Sequence, residues 1–478
     1  MTIRFGTDGW RGVMARDFTF ANVRRVCAAI GAYLQAEGTA PRGVAVTWDR
    51  RLLSDRFAAE AAGVLAARGI PVRLAGAPEP TPLLSWAVRH QGLAGGIGIT
   101  ASHNPPEWNG IKFKESFGGA ARTAVSRAVE DHLAAQPPGE EIPCLSLEEA
   151  RRAGLLADLD AWRGYREALG RLVDFDALRR ARLAVAVDAM HGCGSPGLRR
   201  LLEEAGCRVR ELRGQWNPGF GGAAPEPVEA HLSGLAAAVR EGSCALGLAN
   251  DGDADRIAAV DERGIYFSPQ RILAVLLRYL KEHKRLPGGA VKAVSATSLV
   301  DLLAERYGME VTLTPIGFKH IGEAMLERPT LIGGEESGGI GIPAHLPERD
   351  GLFNALLLVE IVARTGRGLR AYLQEIFDEV GYFTYDRLDL PLPPSAASAV
   401  RERMANLDDP SSLAGARVVE VTRLDGTRFV RDDASWLLVR PSGTEPLLRI
   451  YAEARSEAEV RELIDEGKRL ALSKSSRA

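Results

Sequence analysis

GVAVTWDR (residues 43–50), SDRFAAEAAGVLAARG (54–69), PVRLAG (71–76), TPLLSWAVRH (81–90) and AGGIGIT (94–100) alternate short strand-like runs with longer helical ones. Ser54 reads as the N-cap of the first helix and Gly69 as its stop. Such alternation predicts βαβ units and a parallel or mixed sheet, in which ligands bind at the carboxyl ends of the strands. The turn Thr100-Ala101-Ser102-His103-Asn104-Pro105 falls at such an end. Ser102 is therefore the candidate reacting group, although an ordinary polar turn has the same composition. Asn109-Gly110 predicts a turn into a return strand, IKFKES (111–116), with Lys112 and Lys114 on one face. Lys112 is a candidate for handling a phosphate or a proton.

Outward from this stretch the same rhythm recurs. FGTDGWRG (5–12) precedes a helix starting near Phe20; it is either a tight turn or a place where Gly9 and Gly12 let backbone approach a ligand while Arg11 offers its guanidinium fork. QPPGEEIP (136–143) reads as a loop, and 147–179 as a helical stretch. A second unit runs from RLAVAVDAM (182–190) to CALGLAN and DGDADR (251–256), and a third from about Pro269 through TLIGGEESGGIGIP (330–343). From about 381 the pattern becomes strand, helix, a hairpin through Asp425-Gly426, strand, the loop RPSGTEP (440–446), strand and helix, which predicts a smaller α+β domain. The expected domains are 1–150, 151–265, 266–380 and 381–478.

Composition sets the bounds. A chain of 478 residues implies several cores, and 46% hydrophobic with 26% charged residues is ordinary globular composition. With 60 Lys plus Arg against 62 Asp plus Glu, no overall field attracts nucleic acid or anionic lipid, so neither is an expected partner. Cys27, Cys144, Cys193, Cys207 and Cys244 are an odd, widely spaced set without a CxxC pair, which argues for free thiols in a reducing compartment. The polar N-terminus is no signal peptide and no apolar run is long enough to span a bilayer, so a cytoplasmic location is expected.

Three loops carry further chemistry. DGDADR sets Asp251, Asp253 and Asp255 at alternating positions after an apolar strand, where they repel unless a cation neutralises them. A hard divalent ion such as Mg²⁺ fits oxygen ligands. An EF-hand loop is the rival, with Glu262 at its twelfth position, but Arg256 stands at the sixth, where that loop needs Gly. RPSGTEP combines Arg440, Ser442, Gly443 and Thr444, a guanidinium fork with hydroxyls and free N–H groups suited to a phosphate dianion. GGEESGG (333–339) places Glu335 and Ser337 side by side, as adjacent sugar hydroxyls require, or else is an exposed acidic loop.

Taken in order, FGTDGWRG, TASHNPPEWNGIKF, DGDADR, GEESGG and RPSGTEP resemble the α-D-phosphohexomutase superfamily, the phosphoglucomutases and phosphomannomutases, over essentially the whole chain. The resemblance implies an α/β fold, with three similar mixed-sheet domains and a C-terminal α+β domain of TATA-binding-protein-like type around a central cleft. It implies that Ser102 is carried as phosphoserine. One Mg²⁺ per chain would be held by Asp251, Asp253, Asp255 and a phosphoserine oxygen. By the same resemblance Glu335 and Ser337 read the sugar, Arg440, Ser442, Gly443 and Thr444 hold the phosphate not being transferred, and Arg11, Lys112 and His103 lie near the reacting phosphate. Arg256 and Lys319 are further candidates for substrate contact.

The implied reaction interconverts hexose 1-phosphate and hexose 6-phosphate of glucose or mannose through a 1,6-bisphosphate, with glucose 1,6-bisphosphate as activator and a phosphosugar as the sole expected partner of a monomer or homodimer. The alternatives are a phosphoglucosamine mutase, a phosphosugar phosphatase and a non-catalytic phosphosugar sensor. One position departs from the pattern. Several bacterial members end the sugar loop in histidine, as GEMSGH or GEQSGH, whereas this chain has Gly339. His345, Arg349 and Lys319 are the candidates for replacing that contact.

Overall fold

A computed structural model describes residues 3–137, 139–442 and 446–472. The first sheet contains β1 (Trp10–Val13), β2 (Val44–Trp48), β3 (Val72–Leu74), β4 (Gly95–Ile99), β5 (Trp108–Glu115) and β6 (Leu156–Asp158), in the order β1-β5-β4-β2-β3-β6. The second contains β7 (Ala184–Asp188), β8 (Arg208–Leu212), β9 (Leu246–Asn250), β10 (Ile257–Val260) and β11 (Tyr266–Phe267), in the order β11-β10-β9-β7-β8. The third contains β12 (Gly289–Ala293), β13 (Val311–Thr314), β14 (Thr330–Gly334), β15 (Ile340–Ile342) and β16 (Leu346–Arg349), in the order β13-β12-β14-β15-β16.

One topology therefore occurs three times. In each sheet the first strand of a parallel trio sits between the second and the third, and the third strand turns back through a loop into an antiparallel partner. Those three return loops, β4–β5, β9–β10 and β14–β15, carry Ser102, the aspartates and Glu335 respectively. Three motifs far apart in sequence thus occupy one topological position, at the carboxyl end of a buried parallel strand. The fourth sheet is wholly antiparallel: β17 (Thr384–Pro391), β18 (Ser412–Leu413), β19 (Ala416–Thr422), β20 (Thr427–Arg431), β21 (Trp436–Pro441) and β22 (Leu447–Ala454), ordered β17-β22-β21-β20-β19-β18. It is backed by helices Pro394–Ala405 and Glu457–Leu472. Three mixed α/β units and a smaller α+β unit are thus the architecture.

The apolar interior is divided unevenly. The first unit and the fourth each have their own core. One continuous core, containing Leu201, Leu248, Leu273 and Leu356, joins the second and third units and takes in Leu83, Trp86 and Ala87 of the first, while a small cluster packs Val294 of the third unit against Trp436, Leu438 and Tyr451 of the fourth. Helix Gly351–Thr365 explains the junction. Its sequence, GLFNALLLVEIVART, is apolar almost all round, the mark of a fully buried helix. Asp350 caps it by accepting from the Leu352 and Phe353 N–H groups at 3.0 and 2.8 Å. All five cysteines are unpaired, and no described helix is long and apolar enough to cross a membrane.

Some local expectations fail for identifiable reasons. Ser54 is the first residue of helix Ser54–Ala67, not its cap, because its hydroxyl donates to Asp49 Oδ1 at 2.8 Å. Asn109-Gly110 is not a turn: edge strand β1 pairs with both residues and holds them extended, while the chain reverses upstream, where the Trp108 N–H reaches the Pro105 carbonyl at 3.1 Å. The stretch 147–179 is not continuously helical. It contains β6, which pairs with β3, so the first sheet runs past residue 150. Lys112 and Lys114 share a face of β5 as expected, but both are fully buried and ion-paired.

Candidate active site

Ser102 sits in a left-handed backbone conformation, φ +53°, and is fully buried. Such a φ is uncommon for a residue with a side chain and is maintained here by surrounding contacts. The Ser102 N–H donates to Thr100 Oγ1 at 2.9 Å. Its carbonyl accepts from Arg51 at 2.8 Å, and the same guanidinium reaches the carbonyls of Asn104, Pro105 and Trp108 at 2.7, 2.8 and 3.0 Å. Arg51 is itself buried against Asp49. The Ser102 hydroxyl donates to Asp251 Oδ2 at 2.7 Å, whereas His103 Nδ1 lies 3.4 Å away. The serine is therefore tied to the acidic loop of the next unit rather than to its neighbouring histidine. Burial, with Arg256 and Arg11 nearby, depresses the His103 pKa well below its ordinary value, so the ring is neutral at pH 7.

Close approach of these two loops depends on Gly252, where a Cβ would stand 2.4 Å from the Ser102 carbonyl oxygen. Oxygens of Asp251, Asp253 and Asp255 lie within 4.8 Å of one another, and all three residues are buried. Burial, then Asp253 and Asp255, push the Asp251 carboxyl up to about 8. Burial would raise Asp253 too, but Lys112 lowers it. The Lys112 ammonium lies 2.7 Å from both Asp253 Oδ2 and Asp255 Oδ2 and 2.9 Å from Asp8. Asp253 Oδ1 and Asp255 Oδ1 are nonetheless buried without a hydrogen-bond partner among the described residues, and Asp8 Oδ1 has only the Lys114 ammonium, 3.7 Å away. Orphaned carboxylate oxygens on neighbouring aspartates are the donor set of a hard divalent cation, so the triad fits a metal ion.

The third loop joins the same network. The start of β10 and the 335–339 loop touch: Arg256 bridges Gly339, and the Ile257 N–H reaches the Gly338 carbonyl at 3.1 Å. Glu335 is buried and accepts from the Gly317 N–H at 2.8 Å. Burial, then the adjacent Glu336, raise its pKa to about 7. Arg349, at the end of β16, pairs with Asp8, with Asp255 at 3.1 Å and with Glu348 at 3.1 Å. It also fills the space over Gly339, where a Cβ would lie 2.5 Å from Arg349 Cδ. The residue that departs from the bacterial pattern is thus covered by a guanidinium.

A cleft of about 1510 Å³ collects these walls. Arg11, His103, Arg256, Glu335, Ser337 and Arg349 line it from the first three units, and Arg440 and Ser442 from the fourth. Arg11 donates to Asn104 Oδ1 at 2.6 Å, and Arg440 to Asp425 Oδ1 at 2.7 Å. Gly443 and Thr444 lie outside the described residues. Lys319 is not on the cleft wall although its neighbour Phe318 is. Nor is His345, which turns into the core, 3.0 Å from Asp350 and against Tyr165. Of the three candidates to replace the histidine contact, only Arg349 reaches the cleft.

Comparison with known proteins agrees with this arrangement. Family models for phosphoglucomutase/phosphomannomutase match in succession: α/β/α domain I at 2–138, domain II at 163–264, domain III at 268–380 and the C-terminal domain at 396–469. A phosphoglucomutase/phosphomannomutase of Thermococcus kodakarensis is 32% identical over 98% of both chains. The chain belongs to the phosphoglucomutase/phosphomannomutase family. A phosphoglucosamine/phosphogalactosamine mutase of Sulfurisphaera tokodaii is 30% identical over 98% of both chains. A crystal structure from Thermus thermophilus, provisionally named a phosphomannomutase, is 38% identical, covers 98% of this chain and 99% of its own, and superposes with a TM-score of 0.85.

This member of the family is accordingly a phosphohexomutase, an isomerase. Sequence reasoning missed four residues of its cleft framework. Asp8 lies inside the quoted FGTDGWRG but has no pattern of its own; Arg51 follows a strand as DRR. Thr81 donates to Asp253 Oδ2 at 2.5 Å, and Glu348 accepts from Lys114 at 2.7 Å. Each acts across a long sequence separation, which a local motif does not encode.

Proposed function

We propose that this phosphohexomutase interconverts hexose 1-phosphate and hexose 6-phosphate, of glucose or mannose, through phospho-Ser102 and a 1,6-bisphosphate, acting in the cytoplasm as a monomer or homodimer. The observation that carries the reading is the 2.7 Å contact of Ser102 Oγ with Asp251, beside two orphaned carboxylate oxygens. Asp251, Asp253 and Asp255, with a phosphoserine oxygen, would hold Mg²⁺, which supplies positive charge against the transferring phosphoryl group.

This chain's own residues do the rest. In the first half-reaction the Ser102 Oγ–P bond breaks as a P–O bond forms to the free sugar hydroxyl, whose proton passes by way of neutral His103, 3.4 Å from Oγ, to the departing serine oxygen. The bisphosphate turns over in the cleft, its other phosphoryl group passes to the Ser102 hydroxyl as the sugar O–P bond breaks, and the serine proton returns by the same route to the sugar oxygen left behind. Arg11 and Lys112 balance charge near the reacting group. Arg440 and Ser442, with Gly443 and Thr444, hold the phosphate not being transferred, while Glu335 and Ser337 hold the sugar hydroxyls and Arg256 and Arg349 face the substrate. Walls from four units surround the substrate and keep water from intercepting the phosphoserine.

A second reading, a phosphoglucosamine mutase, is supported by relatives so named, such as the Sulfurisphaera tokodaii enzyme, whereas the Glu335-Glu336 pair follows the GEES form that resembles the glucomutases. Rates on glucose, mannose and glucosamine 1-phosphates, each with Mg²⁺ and a trace of the matching bisphosphate, test both. Free phosphate without hexose 6-phosphate would overturn the mutase reading in favour of a phosphatase, and no product at all would favour a sensor.

A further inference from the structure

A second cavity, of about 470 Å³, lies outside the cleft, between the segment after β3, helix Trp162–Leu172 and the loop entering helix Gly197–Glu204. Its body is apolar, with Pro78, Trp162, Pro196 and Leu201 among its walls. Glu79 stands inside, accepting from Trp162 Nε1 at 2.7 Å, and burial raises its pKa to about 7, which favours the neutral acid over the carboxylate relative to an exposed glutamate. The charged lining is mainly basic. Arg166 is paired with Glu204 at 3.1 Å, whereas Arg163 and Arg200 are exposed and have no ion-pair partner among the described residues. An apolar pocket with a few convergent polar groups and guanidinium groups to spare is the form of a small-molecule site.

Both walls end on the metal loop. Two residues after Glu79, Thr81 donates its N–H to the Asp253 carbonyl at 2.9 Å and its hydroxyl to Asp253 Oδ2 at 2.5 Å. On the opposite wall, the Cys193 N–H donates to the Gly252 carbonyl at 2.9 Å. Any occupant that shifts either wall moves a segment hydrogen-bonded to the aspartate triad.

We propose that this cavity binds a small organic monoanion with an aromatic or branched apolar body, its anionic group toward Arg163 and Arg200, and that occupancy changes the metal affinity of the 251–255 loop. The coupling rests on the metal reading proposed above; the binding does not. The test is a fluorescence titration of the full-length protein with 8-anilinonaphthalene-1-sulfonate, in the presence of saturating glucose 1-phosphate to block the cleft. One saturable site per chain is expected, weakened about tenfold or more by Arg163→Glu with Arg200→Glu and by Ala77→Trp. Absence of saturable binding, displacement by glucose 1-phosphate, or equal binding by both variants would overturn the site. With the probe bound, the Mg²⁺ dissociation constant from calorimetry is expected to shift, and Mg²⁺ to shift probe affinity by the same factor. Probe binding without that reciprocal shift would overturn the coupling and leave the site. Failure to bind Mg²⁺ at all, in the presence or absence of probe, would instead overturn the metal reading.

Discussion

Ser102 keeps a left-handed backbone, a conformation costing on the order of 1–3 kcal/mol, because its surroundings over-determine it. Arg51 is the main constraint, tying four carbonyls of the serine loop to one guanidinium. Arg51→Met is expected to release the loop and leave Asp49 as a buried unpaired charge. Loss of about 3–5 kcal/mol in stability and a fall of at least about a hundredfold in kcat should follow, read by thermal denaturation and steady-state rates. Glu335 gives a pH signature. Its folded pKa of about 7 lies above the ordinary value of 4.5, so the folded chain binds the extra proton between those values and stability falls as pH rises through that window. Relative to Glu335→Gln, the wild type is expected to lose up to about 3 kcal/mol between pH 5 and 8, measured as the difference between the two denaturation curves at each pH. A constant difference would contradict burial of this carboxyl.

At the scale of elements, function depends on how closely return loops from different sheets approach. Gly252→Ala puts a methyl 2.4 Å from the Ser102 carbonyl. It is expected to part the serine and metal loops and lower kcat by about tenfold or more, with less effect on KM. Gly339 and Arg349 form a second such pair. Gly339→His, which restores the bacterial motif, is expected to raise KM because the imidazole and Arg349 compete for one volume. Combined with Arg349→Ala, the loss should be less than the sum of the single effects, and strict additivity in this cycle would contradict the packing. The elements themselves were legible where apolar runs were bounded by turn residues: helix 81–90 and strands 44–48 and 246–250 match their patterns. Asn109-Gly110 misled because the pairing that straightens it comes from β1, almost a hundred positions upstream. β6 was hidden for a similar reason, as its LAD is held by β3 rather than by any strand pattern of its own.

At the scale of the molecule, the chain sets one return loop from each of three like sheets, and Arg440 and Ser442 from an unlike sheet, around a single cleft. The motifs were readable in sequence because each is contiguous on its own loop. Their convergence was readable only through family resemblance, since Ser102 and Asp251 meet across 149 positions. The charge network of Asp8, Lys112, Glu348 and Arg349 was not readable, because its members come from strands and loops with no common spacing. Uneven division of the core has a consequence for unfolding. Calorimetry is expected to resolve more than one transition, with the fourth unit, which has its own core, melting apart from the joined second and third; a single two-state transition would contradict this division. The relay itself is tested most directly by exposing the protein to glucose 1,6-bisphosphate labelled with ³²P and Mg²⁺, locating the label by peptide mass spectrometry, and chasing with unlabelled glucose 1-phosphate. One phosphate per chain on Ser102, passing on chase into sugar phosphate, is the expected result. Label on another residue, no incorporation, or release of the label as inorganic phosphate would contradict it.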